Sequence, residues 1–124
     1  MGLGGQGVSD LTAIDGGTKS ANKSRQKVMR EFFLGFVRVH LLHHASRDPV
    51  YGAWFIEEIG RHGYDVSPGT LYPLLHNLAE AGYLSREDRV VDGKVRKYYS
   101  ITPLGNEVLT EARTRIQELV DEIM

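Results

Sequence analysis

Three sets of side chains in this chain are spaced so that they can do chemistry. The first lies in Val66 to Gly82, VSPGTLYPLLHNLAEAG, where Leu71, Leu74, Leu75 and Leu78 fall at i, i+3, i+4 and i+7. That spacing makes one apolar stripe of a helix. It leaves Gly69, Thr70, Pro73, His76 and Asn77 on the other side, a small, polar and nearly uncharged face. Such a face can approach a flat polar partner closely and hydrogen-bond to base edges in a DNA groove. The second set is His40, His43 and His44. On a helix, i/i+3 and i/i+4 spacing brings His40 beside both others. With a carboxylate from Glu118, Asp121 or Glu122 they can hold a transition metal such as Zn²⁺, which would act as an effector and not as a required cofactor. The competing reading is that these imidazoles border an aromatic interface beside Phe32, Phe33 and Phe36, satisfied by water or backbone. The third set is the cations near a hairpin tip, Arg89, Lys94, Arg96 and Lys97.

The elements that must position these groups follow from periodicity and punctuation. Ser67 is a helix cap and Pro68 suits the first helical position, while Gly82 supplies a stop. Pro73 lies inside that helix and deletes a hydrogen bond to the carbonyl of Gly69. Residues 25–46 read as a long helix, with Val28, Phe32, Gly35, Val39 and Leu42 as one stripe and further apolar groups spread around it. So wide an apolar surface implies cover from a second subunit. Asp48-Pro49 breaks that helix, and a short one follows from about Val50 to Arg61. Two short helices joined by a tight turn make a helix-turn-helix pattern. Tyr51 and Trp54 on the first of them either line an effector pocket between subunits or fill the core or interface.

After Gly82 the period changes to two. Tyr83–Val91 and Lys94–Ile101 read as strands joined by Asp92-Gly93, a favoured pair for a type I′ turn. Counting from the turn pairs Val90 with Val95, Arg89 with Arg96 and Asp88 with Lys97. The two arginines form a like-charge pair that a phosphate between them would relieve, which makes the hairpin a candidate wing against the DNA backbone. Thr102-Pro103 starts a last helix with Leu104, Val108, Ala112, Ile116, Leu119, Val120 and Ile123 as its stripe. The expected fold class is mainly α with a β-hairpin (α+β): a winged helix-turn-helix with N- and C-terminal dimerisation helices. The expected divisions are a disordered tail at 1–24, the winged helix-turn-helix with the first helix at 25–101, and a dimerisation helix at 102–124.

Composition narrows the function classes. The chain has 124 residues, 41% hydrophobic and 25% charged, which fits one globular domain with a real core. There is no cysteine, hence no disulfide framework and no thiolate nucleophile. Phe32–Leu42 is interrupted by Arg38 and His40 and is too short to span a bilayer, and no secretory signal is visible; the expected location is the cytoplasm. The net charge of −1 hides a basic start, where Lys19, Lys23, Arg25, Lys27 and Arg30 outweigh Asp10 and Asp15, and an acidic last helix. Lys23, Arg25 and Lys27 are thus an arm that can attract phosphates. Gly2-x-Gly4-x-x-Gly7 has no strand before it and no βαβ unit around it, so it is a chance match to a dinucleotide motif. No Ser/His/Asp constellation or phosphate-cradling loop supports an enzyme.

The residues Val66-Ser67-Pro68-Gly69-Thr70-Leu71-Tyr72-Pro73-Leu74-Leu75, then Gly82-Tyr83-Leu84, resemble the signature of the PadR family of bacterial transcriptional regulators. Tyr51-Gly52 and Arg96-Lys97-Tyr98-Tyr99-Ser100-Ile101-Thr102-Pro103-Leu104-Gly105 resemble its other two markers, in the family's order, over about Glu31 to Leu109. The resemblance implies a homodimer that binds double-stranded operator DNA, usually as an effector-responsive repressor, and dimerises through its first and last helices. It also implies that Ser67, Gly69, Thr70 and Tyr72 sit at the groove. The short last helix is similar to the compact branch of the family. His76 and Asn77 stand where members often place Lys or Arg, so the arm and the hairpin must supply phosphate affinity. The last helix also lacks the aromatic residue on which some relatives stack drugs. A winged-helix module that binds proteins and not DNA is the alternative of a different class, since fold alone does not exclude it.

Overall fold

The structure is a computed structural model, and it describes residues 19–124. The Gly-rich start with its glycine motif, and residues 1–18 of the expected tail, lie outside the described residues. The described residues form six elements, in the order α1 (Lys19–Arg47), α2 (Gly52–Arg61), α3 (Pro68–Glu80), β1 (Leu84–Val91), β2 (Lys94–Ile101) and α4 (Pro103–Ile123).

Helix α1 begins at Lys19, ahead of the expected 25, so residues 19–24 are helical and not tail. They are mostly solvated and carry no apolar rhythm, which is why periodicity missed them. The buried side of α1 is Val37, Leu41, Leu42 and Ala45 near its C-terminal end. The start of the expected stripe has no cover within the described residues, where Val28 and Phe32 stand exposed at 60% and 62%. Phe33 and Phe36 pack on Tyr64, each with ring centroids 5.4 Å apart, and so tie α1 to the turn before α3.

The chain leaves α1 at Asp48-Pro49 and makes a two-bond bridge to the wing before α2 begins. Val50 N–H donates to the Tyr99 carbonyl at 2.8 Å, and Tyr99 N–H donates back at 2.7 Å. This bridge takes Val50 and Tyr51 out of the helix that their sequence position suggested. Helix α2 buries Phe55 and Ile59 and ends where Gly63 turns to a φ of +87°.

Helix α3 starts as its sequence requires. Ser67 is extended, its side chain accepts from the Thr70 N–H at 3.3 Å, and Pro68 opens the helix. Leu71, Leu74, Leu75 and Leu78 are all buried, each burial stabilising the fold by about 1.5–3 kcal/mol. Gly82 stops the element at φ +87°. The hairpin has the expected register, Val90 with Val95, Arg89 with Arg96 and Asp88 with Lys97. Asp92 and Gly93 both take positive φ, 51° and 77°, as a type I′ turn needs. Thr102 caps α4: its hydroxyl accepts from Gly105 N–H at 3.0 Å and donates to the Gly82 carbonyl at 2.6 Å.

Core side chains from all of these elements meet in one cluster, with Phe55, Leu41, Ile59, Leu71, Leu75 and Leu109 fully buried. Helix α4 joins it only through its first turns, at Gly105 and Leu109. Ile116, Leu119, Val120 and Ile123 remain exposed on the rest of that helix.

Candidate nucleic-acid interface

The face of α3 turned away from the leucine stripe is open to solvent. Ser67, Gly69, Tyr72, Pro73, His76 and Asn77 are exposed, and Thr70 is partly so. The Thr70 hydroxyl accepts from Ser67 Oγ at 3.3 Å, which couples the cap to the first turn of the exposed face. Tyr72 leans on α2 at Gly52. A Cβ on Gly52 would come to 3.0 Å from Tyr72 Cζ and 3.1 Å from its hydroxyl, so the glycine leaves room for the ring. The α3 face and the hairpin border a cleft of about 490 Å³, lined among others by Tyr51, Tyr72, His76, Arg86, Arg96 and Lys97.

The hairpin carries its charge differently from what its sequence suggests. Arg89 and Arg96 are opposite each other, as expected, but each lies over a tyrosine. The Arg89 guanidinium sits 4.5 Å from the centre of the Tyr98 ring, and that of Arg96 sits 4.5 Å from Tyr51. The two rings meet edge to face at 5.2 Å. Arg89 also donates to Glu87 Oε1 from Nη2 at 2.9 Å. Rings and a carboxylate thus absorb the like-charge repulsion, and no phosphate is needed to hold the pair. The hydrogen bond that Arg96 donates to the Tyr51 side chain, foremost, keeps the Arg96 pKa raised. Lys94 and Lys97 are exposed on the wing, and Lys23, Arg25 and Lys27 are exposed on the first turns of α1, on a helix and not on a loose arm.

Sequence reasoning missed Arg86 and the position of Tyr51. Arg86 enters the cleft from β1, and no spacing rule links it to α3. Tyr51 reaches the wing because of the Val50 to Tyr99 bridge. Within the single chain Tyr51 and Trp54 meet different neighbours: Trp54 packs on His44, rings 5.4 Å apart, while Tyr51 faces Arg96 and Tyr98.

The histidines of α1 also find other partners. Among the described residues no group of three His, Asp or Glu side chains is placed to hold a metal ion. The expected convergence of His40, His43 and His44 with Glu118, Asp121 or Glu122 is therefore corrected. Arg113 of α4 donates to His43 Nδ1 at 3.1 Å, so the neutral ring carries its proton on Nε2. Glu118 pairs with Arg115 at 3.3 Å, and Asp121 accepts from Gln117 at 2.8 Å. His44 and His62 instead approach Glu58 at 3.8 and 3.4 Å, and the His40 ring lies 5.8 Å from that of His62.

Burial, foremost, depresses the pKa of His40, His43 and His44 below the ordinary 6.5, with neighbouring cations and imidazoles adding to it and Glu58 opposing it at His40 and His44. A base depressed on folding binds more protons unfolded, so the native state is favoured above pH 6.5 and loses stability as pH falls through the lower native values. We expect Tm to drop by several degrees between pH 7.5 and pH 5, and His40→Asn to flatten that slope. Parallel Tm profiles for the variant and the wild type would refute this source of the slope.

These elements make a helix-turn-helix followed by a β-hairpin wing, with a polar helix face presented beside a basic strand pair. That is the architecture of winged-helix DNA-binding proteins. A family model described as the Transcriptional regulator PadR-like family matches residues 41–111. The chain is 53% identical over 96 residues to the transcriptional regulator Rv3488 of Mycobacterium tuberculosis, covering 77% of this chain and 90% of that one. Among solved structures, a PadR family transcriptional regulator from Eggerthella lenta aligns with TM-score 0.71 and 28% identity, over 86% of this chain and 94% of that chain. A PadR-like transcription factor from Bacteroides fragilis aligns with TM-score 0.69 and 28% identity, over 78% and 95% of the two chains. The chain belongs to the PadR-like family of transcriptional regulators: it is a DNA-binding regulator and not an enzyme. No helix among the described residues is long and apolar enough to cross a membrane.

Proposed function

We propose that this regulator acts in the cytoplasm as a homodimer that occupies a two-fold operator on double-stranded DNA, represses the promoter there, and is released by an effector. The observation that carries the reading is the exposed polar face of α3 beside the basic wing, held by four buried leucines on its other side. In this reading Ser67, Gly69, Thr70, Tyr72, His76 and Asn77 meet base edges and nearby backbone. Arg89, Lys94, Arg96 and Lys97 of the wing, with Lys23, Arg25 and Lys27 of α1, supply the charge that draws phosphates. The uncovered apolar stripe of α4, with Val28 and Phe32 of α1, supports the dimer.

Selection of bound duplexes from genomic fragments, followed by gel shifts at moderate salt, tests the DNA reading. The paired substitution Thr70→Ala/Tyr72→Ala should weaken binding to the selected duplex by about 10–100-fold, the loss of one or two contacts of about 1–3 kcal/mol each. Unchanged affinity in that variant sinks the assignment of this face to DNA. Failure of the wild type to select any duplex supports the protein-interaction alternative.

A further inference from the structure

Between Leu84 and Ile101 the wing carries five cations and three carboxylates. Two of the carboxylates are engaged with arginines on their own strand. Arg86 donates from Nε to Asp88 Oδ1 at 2.9 Å and from Nη2 to Asp88 Oδ2 at 3.1 Å. Arg89 donates from Nε and Nη2 to the single oxygen Oε1 of Glu87, at 3.1 and 2.9 Å. Positions two apart on a strand share a face, so the two pairs lie on opposite faces of the hairpin. Of these two paired arginines, Arg86 and not Arg89 lines the cleft with Tyr72, His76, Arg96 and Lys97. Asp88 is also the cross-strand partner of Lys97, so it neutralises a cleft that is otherwise basic.

We propose that Arg86 binds a phosphodiester of the DNA backbone in the cleft between α3 and the wing, and that Asp88 is its displaceable counter-ion. The inference rests on the DNA reading above and names a residue and a regulation within that site. Both side chains of the pair are 45% exposed. An ion pair in that setting contributes about 0–1 kcal/mol, so exchanging its anion is cheap. A phosphate offers the guanidinium fork the same two-oxygen geometry as the carboxylate. It also releases condensed counterions from the duplex, which the internal pair cannot do. When Arg86 turns to the phosphate, Asp88 stays opposite Lys97 and close to the new anion. It therefore opposes the complex that Arg86 favours.

That opposition separates the proposal from the plain alternative, in which the pair only braces the strand. A brace loses function when either partner is removed. An exchange device gives effects of opposite sign. Binding is measured by fluorescence anisotropy of the full chain on a labelled duplex selected by the wild-type protein, over a series of KCl concentrations. Arg86→Gln should weaken binding about tenfold and reduce the slope of log K against log[KCl] by about 1. Asp88→Asn should tighten binding about three- to tenfold and steepen the slope, since one anion near the phosphate is gone. Arg86→Lys should recover most of the slope but not all of the affinity, because it keeps the charge without the fork. Both exposed substitutions should leave Tm nearly unchanged, and Tm is measured for each.

The proposal is overturned if Arg86→Gln binds like wild type, if Asp88→Asn binds no tighter than wild type, or if both variants weaken binding together with a lowered Tm. Thr70→Ala/Tyr72→Ala is measured alongside. If that variant loses affinity while the two wing variants move in the same direction, only the exchange fails. If it too binds like wild type, the DNA reading of the α3 face fails with it.

Discussion

Replacing Leu119 and Ile123 with Asp should split the proposed homodimer into monomers and weaken binding to the proposed two-fold operator by about 10²–10⁴-fold, without touching a residue proposed to face DNA. Both side chains are exposed in the single chain, at 49% and 65%, and stand with Ile116 and Val120 at helical spacing on α4. A contiguous apolar stripe in water is a standing penalty unless another surface covers it, and no element among the described residues covers this one. Two charges on the stripe oppose its burial by desolvation while leaving the core around Leu109 intact. The loss at DNA follows from linkage. Two recognition helices on one dimer bind with an effective concentration that a monomer cannot reach. Sedimentation velocity and gel shifts on the same preparation check both halves. A variant that keeps the wild-type mass and affinity places the dimer surface elsewhere.

Gly105→Ala should destabilise the fold by about 2–3 kcal/mol, and Gly60→Ala should stabilise it by up to about 1 kcal/mol. Both glycines lie in helices, so helix propensity alone favours alanine at each. The surroundings decide the sign. Around Gly60 nothing lies within 4 Å of a new Cβ. At Gly105 the same atom would strike the Tyr83 carbonyl and come within 2.7 Å of Ile101 Cγ1. That carbonyl cannot yield freely, because it accepts the Thr102 N–H at 3.1 Å, next to the Thr102 hydroxyl that joins Gly82 to the cap of α4. Overpacking against backbone therefore outweighs the propensity gain. Thermal denaturation should show the two variants shifting Tm in opposite directions, the Gly105 variant by about 10 °C downward. A Gly105→Ala protein as stable as wild type would mean that the start of α4 can shift away from the wing.

The parts of this protein that were legible in the sequence are those whose cause is local. Ser67, Pro68 and Gly82 state the ends of α3, and the leucines between them state its buried side. Asp92-Gly93 settles the hairpin turn, and with it the register down to Arg89 opposite Arg96. Long-range partners were not legible. Nothing in the spacing of Tyr51, Arg96 and Tyr98 announces that one ring slots between a guanidinium and another ring. The histidine spacing was correct for a helix, yet His43 turned to Arg113 and His44 to Glu58, because what a helix face meets is decided by elements far along the chain. Periodicity also leaves open what covers the start of α1. An apolar stripe has the same rhythm whether it faces its own core, as at Leu41, or stays uncovered, as at Phe32.

The bridge between Val50 and Tyr99 acts as a clasp. Two backbone hydrogen bonds close a loop of chain that contains α2, α3, β1 and most of β2, so everything proposed to touch DNA except the cations of α1 lies within one ring of polypeptide. Helices α1 and α4 hang outside it, one entering and one leaving. Changes in the exposed outer parts of those two helices, the start of α1 and the end of α4, can alter how copies associate without disturbing the core that Leu41 and Leu109 share with the ring, whereas an insertion inside the ring must either bulge at a loop or undo the clasp. The protein is thus built as a closed head whose two handles are rooted in its core and free only at their outer ends.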